Sequence, residues 1–319
     1  MKNVNQRKVA MIGCGFVGSA SCFAIMQSGL FSEMVLLDAN ADKAEGEAMD
    51  ISHGLPFAKT MDIYAGTYDD IADAAIIIVS AGAAQKPGET RLDLVKKNIG
   101  IFGSIMPEIK KRDVKGVVLV VANPVDVLTY AAQKMTGLPE NRVLGTGTTL
   151  DSARLRYMLG QFVGVDSRNC HAYVIGEHGD SEIVAWSSAK ISGVPLADYC
   201  MLRGLADLDE HKDSIAADVK NSAYDIIQKK GATYYGIAMS VRRVCEAIIR
   251  DEKTILPVSS MQHGEYGLQD VCLSMPAVVG INGVENLIPL DLSMAEQEQL
   301  LKSGETLRSV LAEAMPDNL

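Results

Sequence analysis

Apolar residues recur along the first half of the chain in short, nearly unbroken runs. Lys8–Ile12, Met34–Asp38, Ala75–Ser80, Val117–Ala122 and Arg142–Gly145 read as strands. Several are apolar throughout, as strands buried on both faces of a parallel sheet must be. Val17–Ser28, Ala41–His53 and Arg91–Lys111 lie between them and space their apolar residues for a helix. Repeated strand–helix–strand order predicts an α/β architecture, a doubly wound parallel sheet.

The pattern changes near residue 150. Ser152–Phe162 reads as a helix, and so does Ser222–Arg250, with an apolar stripe at Tyr234, Ile237, Ala238, Val241, Cys245 and Ile248. Thr254–Met261, Val271–Val279 and Asn286–Leu290 read as antiparallel strands, and Ser293-Met-Ala-Glu296 is a capping box that opens a final helix ending near Met315. The expected division is residues 1–147, the parallel-sheet domain, and residues 148–319, an α+β domain.

Composition narrows the function. The chain has 319 residues and a net charge of −10, which argues against nucleic acid as a partner, because phosphate binding needs a basic surface. The six cysteines, at 14, 22, 170, 200, 245 and 272, have neither metal spacing nor disulfide pattern and suggest reduced thiols in the cytoplasm. Val9–Ser32 carries no charge and follows Arg7 and Lys8, as in a signal peptide or anchor. Gly13, Gly15, Gly18, Ser19 and Ser21 break that run, so a buried strand–turn–helix is expected rather than a membrane segment.

Gly13-Cys14-Gly15-Phe16-Val17-Gly18 follows the first strand and opens the first helix. The first two glycines permit a tight turn and close approach of backbone to a pyrophosphate; the third lets helix pack on strand. Free N–H groups of the helix N-terminus then face the phosphates. Asp38 closes the second strand, 20 residues beyond Gly18, where a carboxylate binds both ribose hydroxyls and repels a 2′-phosphate. The combination predicts a Rossmann-type domain that binds NAD in preference to NADP.

Charge gathers in three further places: Gln85-Lys86-Pro87-Gly88-Glu89-Thr90-Arg91, Asn123-Pro124, and the pair Leu150–Arg154 and Gly176–Asp180. A 2-oxo acid asks for such a set. Its carboxylate is best met by the parallel donors of an arginine. Its ketone oxygen must receive a proton as hydride arrives at carbon, the work of a histidine. A carboxylate behind the imidazole orients the ring and favours its charged form. Arg154, His178 and Asp151 supply these groups. Arg91, beside a Pro/Gly loop that could close, would polarise the ketone and exclude water.

These segments, in this order and over nearly the whole chain, resemble the motifs of the lactate/malate dehydrogenase family. The resemblance implies His178 as proton donor, Asp151 as its partner, Arg154 as carboxylate clamp and Arg91 as mobile cation. It also implies Asn123 beside nicotinamide and substrate, Thr233 in the substrate pocket, Ile237 at the nicotinamide face, and Gly82 with the Gly13–Gly18 loop at the dinucleotide.

Within the family, the residue before Lys-Pro-Gly separates the branches. Malate dehydrogenases carry arginine there; Gln85 is neutral and would leave a second carboxylate unpaired. Pyruvate, giving (S)-lactate, is the expected substrate. Larger 2-oxo acids of the 2-hydroxyisocaproate type, oxaloacetate, and a catalytically silent NAD-binding protein are the alternatives. The resemblance further implies a homotetramer in which Arg156 and His171 bind fructose 1,6-bisphosphate. No metal is expected.

Overall fold

The structure, a computed structural model, describes residues 4–84 and 88–315. Elements run β1 (Asn5–Ile12), α1 (Phe16–Ser28), β2 (Glu33–Leu37), α2 (Ala41–Ser52), β3 (Asp62–Ala65), β4 (Ala74–Val79), α3 (Arg91–Lys111), β5 (Val117–Val120), α4 (Val125–Thr136), β6 (Val143–Gly145) and α5 (Thr149–Val163). Short strands follow: β7 (Cys170–His171), β8 (Val174–Ile175), β9 (Ile183–Val184), β10 (Lys190–Ile191) and β11 (Val194–Pro195). The remainder is α6 (Leu196–Arg203), α7 (Leu208–Lys230), α8 (Tyr235–Ile249), β12 (Thr254–His263), β13 (Gln269–Gly280), β14 (Gly283–Leu287) and α9 (Met294–Ala314).

Six parallel strands take the order β3-β2-β1-β4-β5-β6, so the chain reverses direction across the sheet between β1 and β4. That reversal leaves a crevice at the carboxyl ends of the two strands, where open α/β sheets hold ligands. All six residues of β4 are buried, because α1 and α2 cover one face of the sheet and α3 and α4 the other. The sheet does not stop at the sixth strand. An antiparallel bridge, Ser259 to Gly145, adds β12, β13 and β14 beyond β6. Val241, Val244, Cys245 and Ile248 of α8 also join the core around α1, so the second half of the chain braces the first.

The five strands and three helices expected in the first half are present, with no end displaced by more than three residues. The expected capping box forms where the sequence carries it: Ser293 accepts from Glu296 N–H at 3.3 Å and starts α9. One expectation needs correction. The single helix over Ser222–Arg250 is two helices. Gly231, at φ +84°, closes α7 by donating its N–H to Ile227 O, and the chain re-enters a helix only at Tyr235. A glycine so placed favours the left-handed conformation, although the apolar spacing runs on past it. No described helix is long and apolar enough to cross a membrane, and all six cysteines are buried and free.

Candidate active site

The glycine loop is shaped by contacts that exclude side chains. Gly13 stands at φ +100°, and a Cβ there would meet Ala81 N at 2.5 Å. A Cβ on Gly18 would meet Gly13 O at 2.0 Å. Gly15 differs, because nothing lies within 4 Å of where its Cβ would be. Gly15 caps α1 without a side-chain hydrogen bond, and no acid stands in the first turn. The N–H groups of Phe16, Val17 and Gly18 have no side-chain acceptor among the described residues, which suits a pyrophosphate. Asp38 sits at the end of β2, with Oδ2 accepting from Cys14 N at 2.7 Å and Oδ1 from Asn40 N at 3.0 Å. These two bonds fix the carboxylate beside the loop and leave each oxygen a lone pair for a ribose hydroxyl. The residues present fit a dinucleotide. Gly82 lies exposed beyond β4, and a Cβ on it would touch Ala122 Cβ at 3.2 Å.

The second site is a cavity of about 440 Å³ between the parallel sheet and the second half of the chain. Arg91, Asn123, Asp151, Arg154 and His178 all line it. Asp151 and Arg154 stand one turn apart on α5, joined by Arg154 Nη1–Asp151 Oδ1 at 2.9 Å. Asp151 Oδ2 meets His178 Nδ1 at 2.6 Å. The carboxylate is 2 % exposed and the imidazole 25 %, so the buried partner orients a ring whose other nitrogen remains available to the cavity. Burial alone would lower the His178 pKa. The Asp151 carboxylate and its hydrogen bond outweigh burial, with help from Asp126 and Glu182, and push it up to about 9. Burial also opposes ionisation of Asp151, yet the His178 and Arg154 cations hold its carboxyl below the usual range.

Three groups that sequence reasoning passed over complete the surroundings. Asp126, 2 % exposed at the start of α4, accepts the backbone N–H of His178 at 2.7 Å. Its burial raises its own pKa to about 6. Glu182 and Lys220 also line the cavity. Burial, then the Asp151 charge, raises Glu182 to about 8, against the pull of His178, Arg154 and Lys220. The only early signal was that Glu182 falls in the same turn as His178; Asp126 and Lys220 look ordinary on their helices.

Other expected residues take varied places. Arg91 is the first residue of α3, and its guanidinium pairs with Glu177 and, at 3.1 Å, with Asp180. Thr233 stands half-buried in the break between α7 and α8, and Ile237 lies one turn into α8; neither lines the cavity. Phe16 reaches across to stack on Tyr234, with ring centroids 5.4 Å apart. Arg156 on α5 donates Nε–H to Ala172 O at 3.0 Å, next to the exposed His171. Gln85 lies outside the described residues.

A dinucleotide cradle at the strand crossover, opening toward a buried acid–imidazole–guanidinium set, defines a nicotinamide-dependent dehydrogenase of small oxo acids. The chain belongs to the lactate/malate dehydrogenase family. Residues 7–145 match that family's NAD-binding domain and residues 148–316 its α/β C-terminal domain. An L-lactate dehydrogenase of Acetivibrio thermocellus is 51% identical over 305 residues, 96% of either chain. L-lactate dehydrogenase 1 of Clostridium acetobutylicum is 50% identical over 304 residues, covering 95% of this chain and 97% of its own. Among solved structures, the minor L-lactate dehydrogenase of Enterococcus mundtii in its ligands-bound form superposes with a TM-score of 0.94 at 42% identity, over 96% of this chain and 98% of that one.

Proposed function

We propose that the chain catalyses the NAD-dependent interconversion of pyruvate and (S)-lactate in the cytoplasm. The observation that carries this is the 2.6 Å bond between His178 and a nearly inaccessible Asp151, which is itself tied to Arg154. NAD, when bound, supplies the hydride acceptor or donor. Gly13–Gly18 and Asp38 would hold its pyrophosphate and adenine-side ribose, and Gly82, Asn123 and Ile237 its nicotinamide half.

The side chains do the rest. Arg154 takes the substrate carboxylate through its planar donors, exchanging part of its pairing with Asp151 for that anion. His178 gives its proton to the ketone oxygen as negative charge builds there, and takes it back in the reverse direction. Asp151 keeps the imidazole oriented and favours the protonated ring. Arg91 polarises the ketone once its guanidinium leaves Glu177 and Asp180. Thr233 is assigned to the substrate pocket on the family resemblance alone, and the neutral Gln85 supplies no cation for a second carboxylate.

The division of labour falls between residues 147 and 148, supported by two family matches of which one ends at residue 145 and the other begins at residue 148. The working unit is a homotetramer in which fructose 1,6-bisphosphate binds Arg156 and His171. Their nearness through the Ala172 carbonyl supports this.

The test follows NADH absorbance with pyruvate, oxaloacetate and 2-oxoisocaproate, with and without the sugar bisphosphate in phosphate-free buffer. Pyruvate should have the highest kcat/KM, and the effector should lower its KM. A higher kcat/KM for either other acid overturns the substrate assignment, and an effector without influence on KM or assembly overturns the regulatory one.

A further inference from the structure

The loop between β8 and β9 turns back on itself. Glu182 N–H donates to Gly179 O at 3.2 Å, which returns the chain to the imidazole four residues after His178. One ligand-type atom each from Asp151, His178 and Glu182 lies within 4.8 Å of the other two. The Glu182 carboxylate nevertheless has no hydrogen bond or ion pair among the described residues. It stands on the wall of the cavity that holds the proton donor.

Among the described residues, the charged groups around it come from several elements. Asp151 and Arg154 act on it from α5, His178 from its own loop and Lys220 from α7. Arg91 at the start of α3 and Asp180 line the same cavity, with Tyr224 of α7, and Asp126 of α4 acts on His178 from behind. Burial and the neighbouring Asp151 charge raise the pKa of Glu182 to about 8, into the same range as the imidazole, which is pushed up to about 9.

We propose that Glu182 is a positioning residue for the proton on His178: the two titrate as one unit, and the ionised carboxylate holds the proton on the ring as the solution turns alkaline. The proposal rests on His178 being the proton donor. The sign follows from charge alone. Below neutrality Glu182 is uncharged and adds little. As pH rises it releases its proton to solvent, and a negative charge appears beside the imidazolium. That charge favours the protonated ring. His178 therefore stays loaded over a wider pH range than Asp151 alone would give.

The test is titration of the intact chain by NMR of labelled histidine side chains, of which there are five, with the His178 signal assigned by its loss in His178→Asn. Glu182→Gln should lower the His178 midpoint by about one pH unit. The alkaline limb of kcat for pyruvate reduction should move with it, so that the ratio of kcat at about pH 9 to that at about pH 7 falls up to tenfold. Glu182→Asp, which keeps the charge, should retain most of the midpoint. A His178 midpoint unmoved in Glu182→Gln overturns the proposal. An equal fall in both variants also overturns it, because that marks a packing role. The titration needs no substrate, so failure here is separable from failure of the pyruvate assignment.

Discussion

The two functional ends of this molecule are made of different material. The cofactor cradle is mostly backbone: three glycines, free N–H groups at the start of α1, and one carboxylate at the end of β2. The proton-donor pocket is mostly charged side chain, with Asp151, Arg154, His178, Glu182 and Asp126 each acting on another. A backbone cradle works by shape, and each part fails by steric clash. A charge cluster works by mutual bias, so removing one member alters the ionisation of the rest. If that contrast holds, substitutions in the pocket should alter chemistry and pH response, whereas substitutions in the cradle should alter cofactor affinity and stability.

The largest effect should come from the pocket. His178→Asn should lower kcat for pyruvate reduction by about 10²–10⁴-fold, the usual contribution of a general acid–base group, while NADH titrated by fluorescence still binds. A near-normal kcat would remove His178 from the mechanism. The parent enzyme's pH dependence follows from the same residue. Reduction requires the imidazolium, and its pKa is raised to about 9, so reduction should persist below that pH and fall as pH rises through it. Lactate oxidation requires the neutral ring and should rise over the same interval.

A smaller effect is expected from the cradle. In Gly18→Ala the new methyl would stand 2.0 Å from Gly13 O and 2.7 Å from Ser80 Oγ, so α1 must move off β1. Displacements of this kind typically cost about 1–3 kcal/mol. The denaturation midpoint and the NADH Kd should both worsen, while any turnover that remains at saturating NADH keeps the parent's pH profile. A changed profile would erase the distinction between the two regions.

The same contrast explains what could be read from the sequence. The cradle was legible because its chemistry is local: a glycine spacing after an apolar run, then one acid at the end of the next strand. His178, Asp151 and Arg154 were legible because charged residues collected in loops and at strand ends. Asp126 was not, since an Asp near the start of a helix is usually a surface residue near the positive end of the dipole. Only the fold shows that its oxygen meets the His178 N–H in the interior. Glu182 acquires its character from being returned to the imidazole by a turn. The break at Gly231 escaped detection for the opposite reason: apolar spacing continues across it, and a positive φ leaves no mark on periodicity.

The finest distinction is expected at Asp38, the one charged part of the cradle. Its Oδ2 accepts from Cys14 N–H and its Oδ1 from Asn40 N–H, so it both braces the glycine loop and carries a negative charge toward the adenine-side ribose. Asp38→Asn separates these duties. The amide oxygen can still accept from Cys14, which leaves the loop in shape, but the charge that repels a 2′-phosphate is gone. NADH affinity should therefore change little. The preference for NADH over NADPH, measured as the ratio of kcat/KM values with pyruvate saturating, should fall by about tenfold, the equivalent of 1.4 kcal/mol. A ratio that does not move would mean that cofactor choice resides in the shape of the cradle and not in its charge. Loss of NADH binding together with that of NADPH would mean that the brace, and not the charge, is what Asp38 contributes.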